Sequence, residues 1–358
     1  MPTPSVVPGV PLIFRCDATS SIGYGHVMRC LALAETWRRL GGEAVMLGQI
    51  EAQNVQQRMQ RAGIVYAPLG CHEDYGTALA QSQQMLLTMR DSARDQAHRP
   101  WFVLDGYRFD ADYQHTVRGQ GYKLCVVDDN AHLDVYDADI LLNQNVGNQD
   151  IVYRFQTETR TLCGPSYVML RSEFSRWQGL ERRIQPDVRT ILVTLGGTDM
   201  AHQIPKTLRA LSAVNSRRFQ IQVVLGYGYV DNKDLAAALR MASAVHDVTL
   251  LKGVEDMPGL MAQADLAISA AGSTTYELAF MGVPMILLAI APNQLGVAQG
   301  LDAHGVGVYL GWYETVSERV LTDAVAQLSR DPVRRTEMSD RGKALVDGKG
   351  CLRVLQEF

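Results

Sequence analysis

The sequence predicts an α/β protein made of two similar parallel-sheet domains facing a cleft. Three observations predict this. Short apolar runs alternate with helical patterns along the chain, the runs end in polar, glycine-containing turns, and the alternation begins afresh at Thr190. A charged stretch from Gln178 to Pro186 precedes that restart. We set the junction there, with an N-terminal domain over 1–182 and a C-terminal domain over 183–358 whose last helix can fold back onto the first. Sheets of this kind are covered on both faces and bind ligands beyond the carboxyl ends of their strands.

The first element carries the most information. Leu12–Cys16 is an apolar run of strand length. It stops at a polar loop, Asp17 to Gly25, which runs into a helical pattern with Val27, Cys30, Leu31, Ala34 and Trp37 on one face. Strand, loop and helix start in that order present unpaired backbone N–H groups at a sheet edge, where anions bind. The chain then predicts a strand at Ala44–Leu47, a helix at Ala52–Arg61, a short strand at Ile64–Pro68 and a long helix over Gly76–Gln96. Trp101–Asp105 is a strand ending in an acid, followed by Gly106-Tyr107-Arg108. Lys123 to Asp129 repeats the design and Ile140–Asn143 echoes it more weakly, so Asp105, Tyr107, Asp128 and Asp129 belong on the rim that carries His26. Gly147 to Arg160 is polar and turn-rich.

The second half predicts strands at Ile191–Leu195, Ile221–Leu225, Val248–Leu251, Leu266–Ser269, Met285–Leu288 and Val308–Leu310. Helices lie between them and over Val316–Ser329 and Pro332–Val346. No fixed-period repeat or coiled-coil heptad is present.

At 358 residues the chain is long for one core. A hydrophobic fraction of 47% and a charged fraction of 20% are those of an ordinary globular protein. A formal charge of -4 gives no electrostatic reason to expect nucleic acid or an anionic membrane. No apolar run approaches the ~20 residues of a membrane span, and the N-terminus lacks the pattern of a signal peptide. The six cysteines are scattered without a C-x-x-C pair. These features point to a cytoplasmic protein with reduced thiols.

Several motifs carry chemistry. Gly23-Tyr24-Gly25 begins like a dinucleotide fingerprint, but Met28 stands at the third glycine position, and no G-K-[ST] loop exists. NAD and ATP chemistry of those kinds is disfavoured and no cofactor is expected. A tight turn and a ligand loop are both open for these glycines. His26 sits at the helix start, where the neutral form a general base requires is favoured. Taken alone, a histidine that merely bonds its loop is the slightly simpler reading.

Ala271-Gly272-Ser273-Thr274-Thr275 follows a strand with small residues and hydroxyls at a helix start, which suits a diphosphate. Glu277, one turn on, can accept both hydroxyls of a ribose, or simply complement the helix dipole. Gly196-Gly197 lets backbone approach a ligand or makes a plain turn. Asn293, within Pro292-Asn293-Gln294, binds a sugar or caps the next helix, and in isolation the cap is the simpler reading. Asp128-Asp129 has no histidine or further acid at ligand spacing, so solvation or sugar binding is expected there and no metal.

Together these residues resemble the UDP-2,4-diacetamido-2,4,6-trideoxy-β-L-altropyranose hydrolases of pseudaminic acid biosynthesis, relatives of the GT-B glycosyltransferases. The resemblance covers nearly the whole chain from Ile13. Its most specific part is Arg15-Cys16-Asp17, Ile22-Gly23-Tyr24-Gly25-His26 and Arg29. Supporting pieces are Asp105-Gly106-Tyr107, Asp128-Asp129, Cys163 to Tyr167, Gly196 to Asp199 and Asn293-Gln294. The resemblance implies a GT-B-like fold of two Rossmann-like domains, with the sugar on the N-terminal one and UDP on the C-terminal one. It implies a metal-independent, inverting hydrolysis with His26 as general base, and with Tyr107 and Asn293 orienting sugar and water. It places Asp17, Gly23, Tyr24, Gly25 and Arg29 against the substrate. In the second domain Gly196, Gly197 and Gln294 join the loop Ala271, Gly272, Ser273, Thr274 and the ribose-binding Glu277. The phosphate loop is closer to the transferase form, so a glycosyltransferase with an alcohol acceptor is the alternative, and a nucleotide-sugar sensor is a third. A monomer is expected, with a small UDP-sugar as partner.

Overall fold

The computed structural model describes residues 10–358 apart from 20, 70–83, 85–98, 149, 198, 200, 216, 227 and 231–232. The helix expected over Gly76–Gln96 lies outside the described residues except at Gln84. Two compact units are present. One comprises the chain up to Ser172 together with Lys349–Phe358, and the other is Glu173–Gly348. The sequence reading divides the chain at 182/183; the compact units change over at Ser172.

The first unit holds seven strands: β1 (Leu12–Cys16), β2 (Ala44–Gly48), β3 (Val65–Pro68), β4 (Trp101–Asp105), β5 (Lys123–Val127), β6 (Ile140–Asn143) and β7 (Arg160–Cys163). They form one sheet in the order β3-β2-β1-β4-β5-β6-β7, and every pairing is parallel. All five residues of β1 are buried, because helices cover both of its faces. Side chains alternate across the sheet. Leu12 and Phe14 pack with Val27, Leu31 and Ala34 of the helix Gly25–Arg39, whereas Ile13 packs on the other side with Phe102, Leu104 and Tyr113. Each fully buried Leu, Ile, Val or Phe among them contributes about 1.5–3 kcal/mol by leaving water.

β7 was not expected from the sequence. Only Leu162 of its four residues is buried, so an apolar run never appears. The C-terminal helix Gly350–Leu355 closes the unit. The Trp101 indole N–H donates to the Phe358 carbonyl at 2.6 Å and the two rings stack at 4.4 Å. Gly350 leaves no room for a Cβ, which would lie 2.1 Å from the Val168 carbonyl oxygen.

The second unit repeats the plan with β8 (Thr190–Thr194), β9 (Gln220–Leu225), β10 (Asp247–Lys252), β11 (Leu266–Ala270), β12 (Met285–Ala289) and β13 (Gly307–Trp312). Their order is β10-β9-β8-β11-β12-β13, again all parallel. In each sheet the winding reverses beside the first strand, between β1 and β4 and between β8 and β11. Loops diverge at such a point and leave a crevice at the carboxyl ends of the strands. Among the described residues no helix is long and apolar enough to cross a membrane, and five cysteines are free thiols.

Candidate active site

At the reversal point of the first sheet, the loop after β1 meets the ends of β4 and β5. Gly23, with φ at +85°, turns the chain into the helix Gly25–Arg39, whose second residue is His26. A Cβ at Gly23 or Gly25 would meet nothing within 4 Å, so the space beside both glycines is open. His26 keeps 12% of its side chain exposed, and its Nδ1 lies 2.7 Å from Oδ1 of Asp105, the last residue of β4. Asp105 is fully buried. A carboxylate can only accept, so Nδ1 carries the proton and the lone pair of the neutral ring sits on Nε2. Nε2 has no hydrogen-bond partner among the described residues.

Arg29, one turn further along the helix, ties the rim together. Its Nε and Nη2 donate to Asp105 at 2.5 and 2.7 Å, and its Nη1 donates to both Asp129 oxygens at 3.0 and 2.7 Å. Burial pushes the Asp105 carboxyl up, but Arg29 and then His26 outweigh it and hold the group well below the usual carboxylate range. The Tyr107 hydroxyl donates to Asp129 Oδ2 at 3.0 Å, and its ring stands edge-on to His26 at 5.1 Å. Gly106 makes this possible: its φ is +147°, and a Cβ there would lie 3.0 Å from the Phe109 ring.

In the second unit, Gly196 has φ at +86° and open space where a Cβ would sit. The Gly197 carbonyl accepts from the Gly228 N–H at 2.9 Å. Asp199 is buried and caps the helix Gln203–Ser212 by accepting from the N–H groups of Gln203 and Ile204. After β11, Ala271 is buried while Ser273 is exposed and Thr274 half-buried. A Cβ on Gly272 would meet only the Gln294 amide nitrogen, at 3.8 Å. Gln294 itself is fixed by the Ile290 N–H, which donates to its Oε1 at 3.0 Å. Thr275 turns inward and donates to the Gly272 carbonyl at 2.7 Å, and Glu277 is buried in the first turn of Thr274–Phe280. Asn293 is exposed, and no side-chain cap forms at the following helix, Leu295–Ala303, so the simple capping reading does not hold.

The structure thus gathers His26, Tyr107 and Arg29 in one unit and Gly272 with Gln294 in the other. One expectation, that for the paired acids Asp128 and Asp129, needs correction. Asp17 points into the fold, where Arg15 donates to its Oδ1 at 2.6 Å and the Gln49 N–H does so at 2.9 Å. Its partners are the chain's own donors. Asp128 and Asp129 are buried rather than solvated, and a histidine does stand beside the first of them: His132 Nδ1 bonds Asp128 Oδ2. The four-residue interval between the two was the available signal. Tyr24 is half-buried against the first core. Among the described residues no group of three or more His, Cys, Asp or Glu could hold a metal ion.

Two doubly wound parallel sheets, each reversing its winding beside its first strand, are the plan of the GT-B class of fold. MurG of Acinetobacter baumannii superposes with a TM-score of 0.64 over 96% of this chain and 98% of its own, at 15% identity. Residues 190–349, which hold β8 to β13, match the glycosyltransferase family 28 C-terminal domain. More particularly, the chain is homologous at low identity to the UDP-2,4-diacetamido-2,4,6-trideoxy-β-L-altropyranose hydrolase of Campylobacter jejuni. The two are 23% identical over 309 residues, 83% of this chain and 98% of the relative. An archaeal relative, uncharacterized protein MJ1062 of Methanocaldococcus jannaschii, is 27% identical over 279 residues. That match takes in 76% of this chain but spans only 54% of the relative's length.

Proposed function

We propose that the chain is an enzyme of UDP-sugar metabolism in glycan biosynthesis, and that it hydrolyses a UDP-linked 2,4-diacetamido-2,4,6-trideoxy-hexose at the anomeric carbon. One observation carries the reading: an imidazole in an open glycine loop, oriented by a buried carboxylate, with no hydrogen-bond partner for Nε2 among the described residues. Such a pair is suited to taking a proton from water. The hydrolase of Campylobacter jejuni supports the choice of reaction.

In this mechanism His26 Nε2 accepts a proton as the water oxygen bonds to the anomeric carbon. The bond from that carbon to the UDP oxygen breaks, and its electron pair leaves with UDP. A single displacement inverts the anomeric configuration, and no metal takes part. Tyr107 and Asn293 orient the sugar and the water. The N–H groups and hydroxyls of Ala271, Gly272, Ser273 and Thr274 stabilise the charge on departing UDP, a preorganised electrostatic effect. Gly196 and Gly197 give backbone access to the nucleotide, Glu277 holds the ribose, and Gln294 supports the loop. The Glu277→Ala variant is then expected to bind UDP more weakly in calorimetry.

The family 28 domain and the MurG likeness favour a second reading, transfer to an alcohol. Incubating a panel of UDP-amino sugars with enzyme and no acceptor separates the two. Mass spectrometry is expected to find UDP and free sugar; product formed only when an alcohol is added would establish the transferase instead.

A further inference from the structure

Asp128 and Asp129 adjoin at the end of β5 and serve different partners. Asp129 takes Arg29 and the Tyr107 hydroxyl. Asp128 accepts at Oδ1 from the N–H groups of Asn130 and Ala131, at 2.7 and 2.8 Å. At Oδ2 it accepts from the Tyr136 hydroxyl at 2.6 Å and from His132 Nδ1. The other ring nitrogen of His132, Nε2, faces the Phe109 carbonyl at 3.4 Å. Both partners of the ring are acceptors, so both contacts are made only when both nitrogens carry protons. The ring stands edge-on to Tyr107 at 5.5 Å, on a tyrosine that is itself edge-on to His26. Two histidine–aspartate pairs therefore flank one tyrosine.

We infer that His132 is a positioning residue: clamped as an imidazolium between Asp128 and the Phe109 carbonyl, it walls Tyr107 against His26, and losing its proton loosens that wall. The inference rests on the reading of His26 and Tyr107 as groups that face the sugar. The groups around the ring act on the His132 proton in opposite directions. Burial would lower its pKa, but the hydrogen bond and charge of Asp128 raise it above the ordinary histidine value. Asp128 is held low by His132, Tyr136 and Asn130 against the opposing effect of burial. Tyr136 is pushed far up, first by burial and then by Asp128. Asp129 and Arg29 lie one contact further away, through Tyr107.

Two measurements test this. Histidine Cε1 resonances of the whole protein, followed by NMR against pH, are expected to place the His132 titration above ~6.5, with the Tyr107 ring signals moving along it. Rate profiles against pH are expected to show an alkaline limb in the native enzyme that His132→Gln removes. That variant keeps a donor for Asp128, and its kcat is expected to fall roughly 10- to 100-fold with KM within about twofold. A His132 titration below ~6.5, Tyr107 signals indifferent to it, or a His132→Gln enzyme with native rate and profile would overturn the inference. Full turnover by His26→Phe would instead sink the hydrolase reading, while the NMR titration would still decide the clamp.

Discussion

Arg29 is the residue on which the candidate site's geometry depends most. It joins two carboxylates that would otherwise repel one another inside the fold, and both it and they are buried. Removing one partner of such a cluster leaves uncompensated charge, which costs about 3–5 kcal/mol. Arg29→Met is therefore expected to lower the urea midpoint by a corresponding amount, and adding Asp105→Asn to recover part of the loss. An unchanged midpoint would show that the cluster holds nothing. At this scale the sequence disclosed what is local. A glycine loop running into a helix start marked His26 without any knowledge of the fold. Its orienting partner lies 79 residues away, and although Asp105 was expected on the same rim, nothing in the spacing said that the two would bond. Asp17 shows the limit of that reading, because its bonds to Arg15 and to the Gln49 N–H join residues whose pairing no local motif announces.

At the scale of elements, the end of β4 and the loop after β5 deliver charged groups whose titration is linked to folding. Asp105 is depressed in the folded protein, so its contribution is fully present above the ordinary carboxylate pKa of ~3.9 and is lost as pH falls through the folded value. His132 is raised, so its contribution is full below ~6.5 and fades as pH rises through its folded pKa. Unfolding free energy measured from pH 2 to 9 is expected to decline at both ends. Asp105→Asn is expected to flatten the acid end and His132→Gln the alkaline end. Elements dominated by apolar residues, such as Leu12–Cys16 and Trp101–Asp105, were readable because a strand covered on both faces needs them. β7 was not, since its hydrogen bonds to β6 are made by backbone and its side chains, Leu162 apart, face away from the core.

For the whole molecule, two separate doubly wound sheets predict two separable responses. UDP at 100 times its Kd is expected to add about 2.7 kcal/mol to the stability of the Glu173–Gly348 unit. Leu355→Ala, in the helix that packs on the first unit, is expected to cost that unit about 2–5 kcal/mol. Scanning calorimetry with and without UDP checks both, and Gly272→Val is expected to abolish the UDP shift by filling the space beside Gln294. The repeated alternation of strand and helix made this duplicated plan legible, because parallel strands must be joined by crossovers. The choice between hydrolysis and transfer was not legible from the plan alone, since the fold is compatible with both. The most direct test of the central claim is the turnover of the UDP-sugar by His26→Phe in water without an acceptor. A fall of roughly 10²–10⁴-fold with UDP affinity unchanged is predicted; native turnover by that variant would contradict the assignment of His26 as the base.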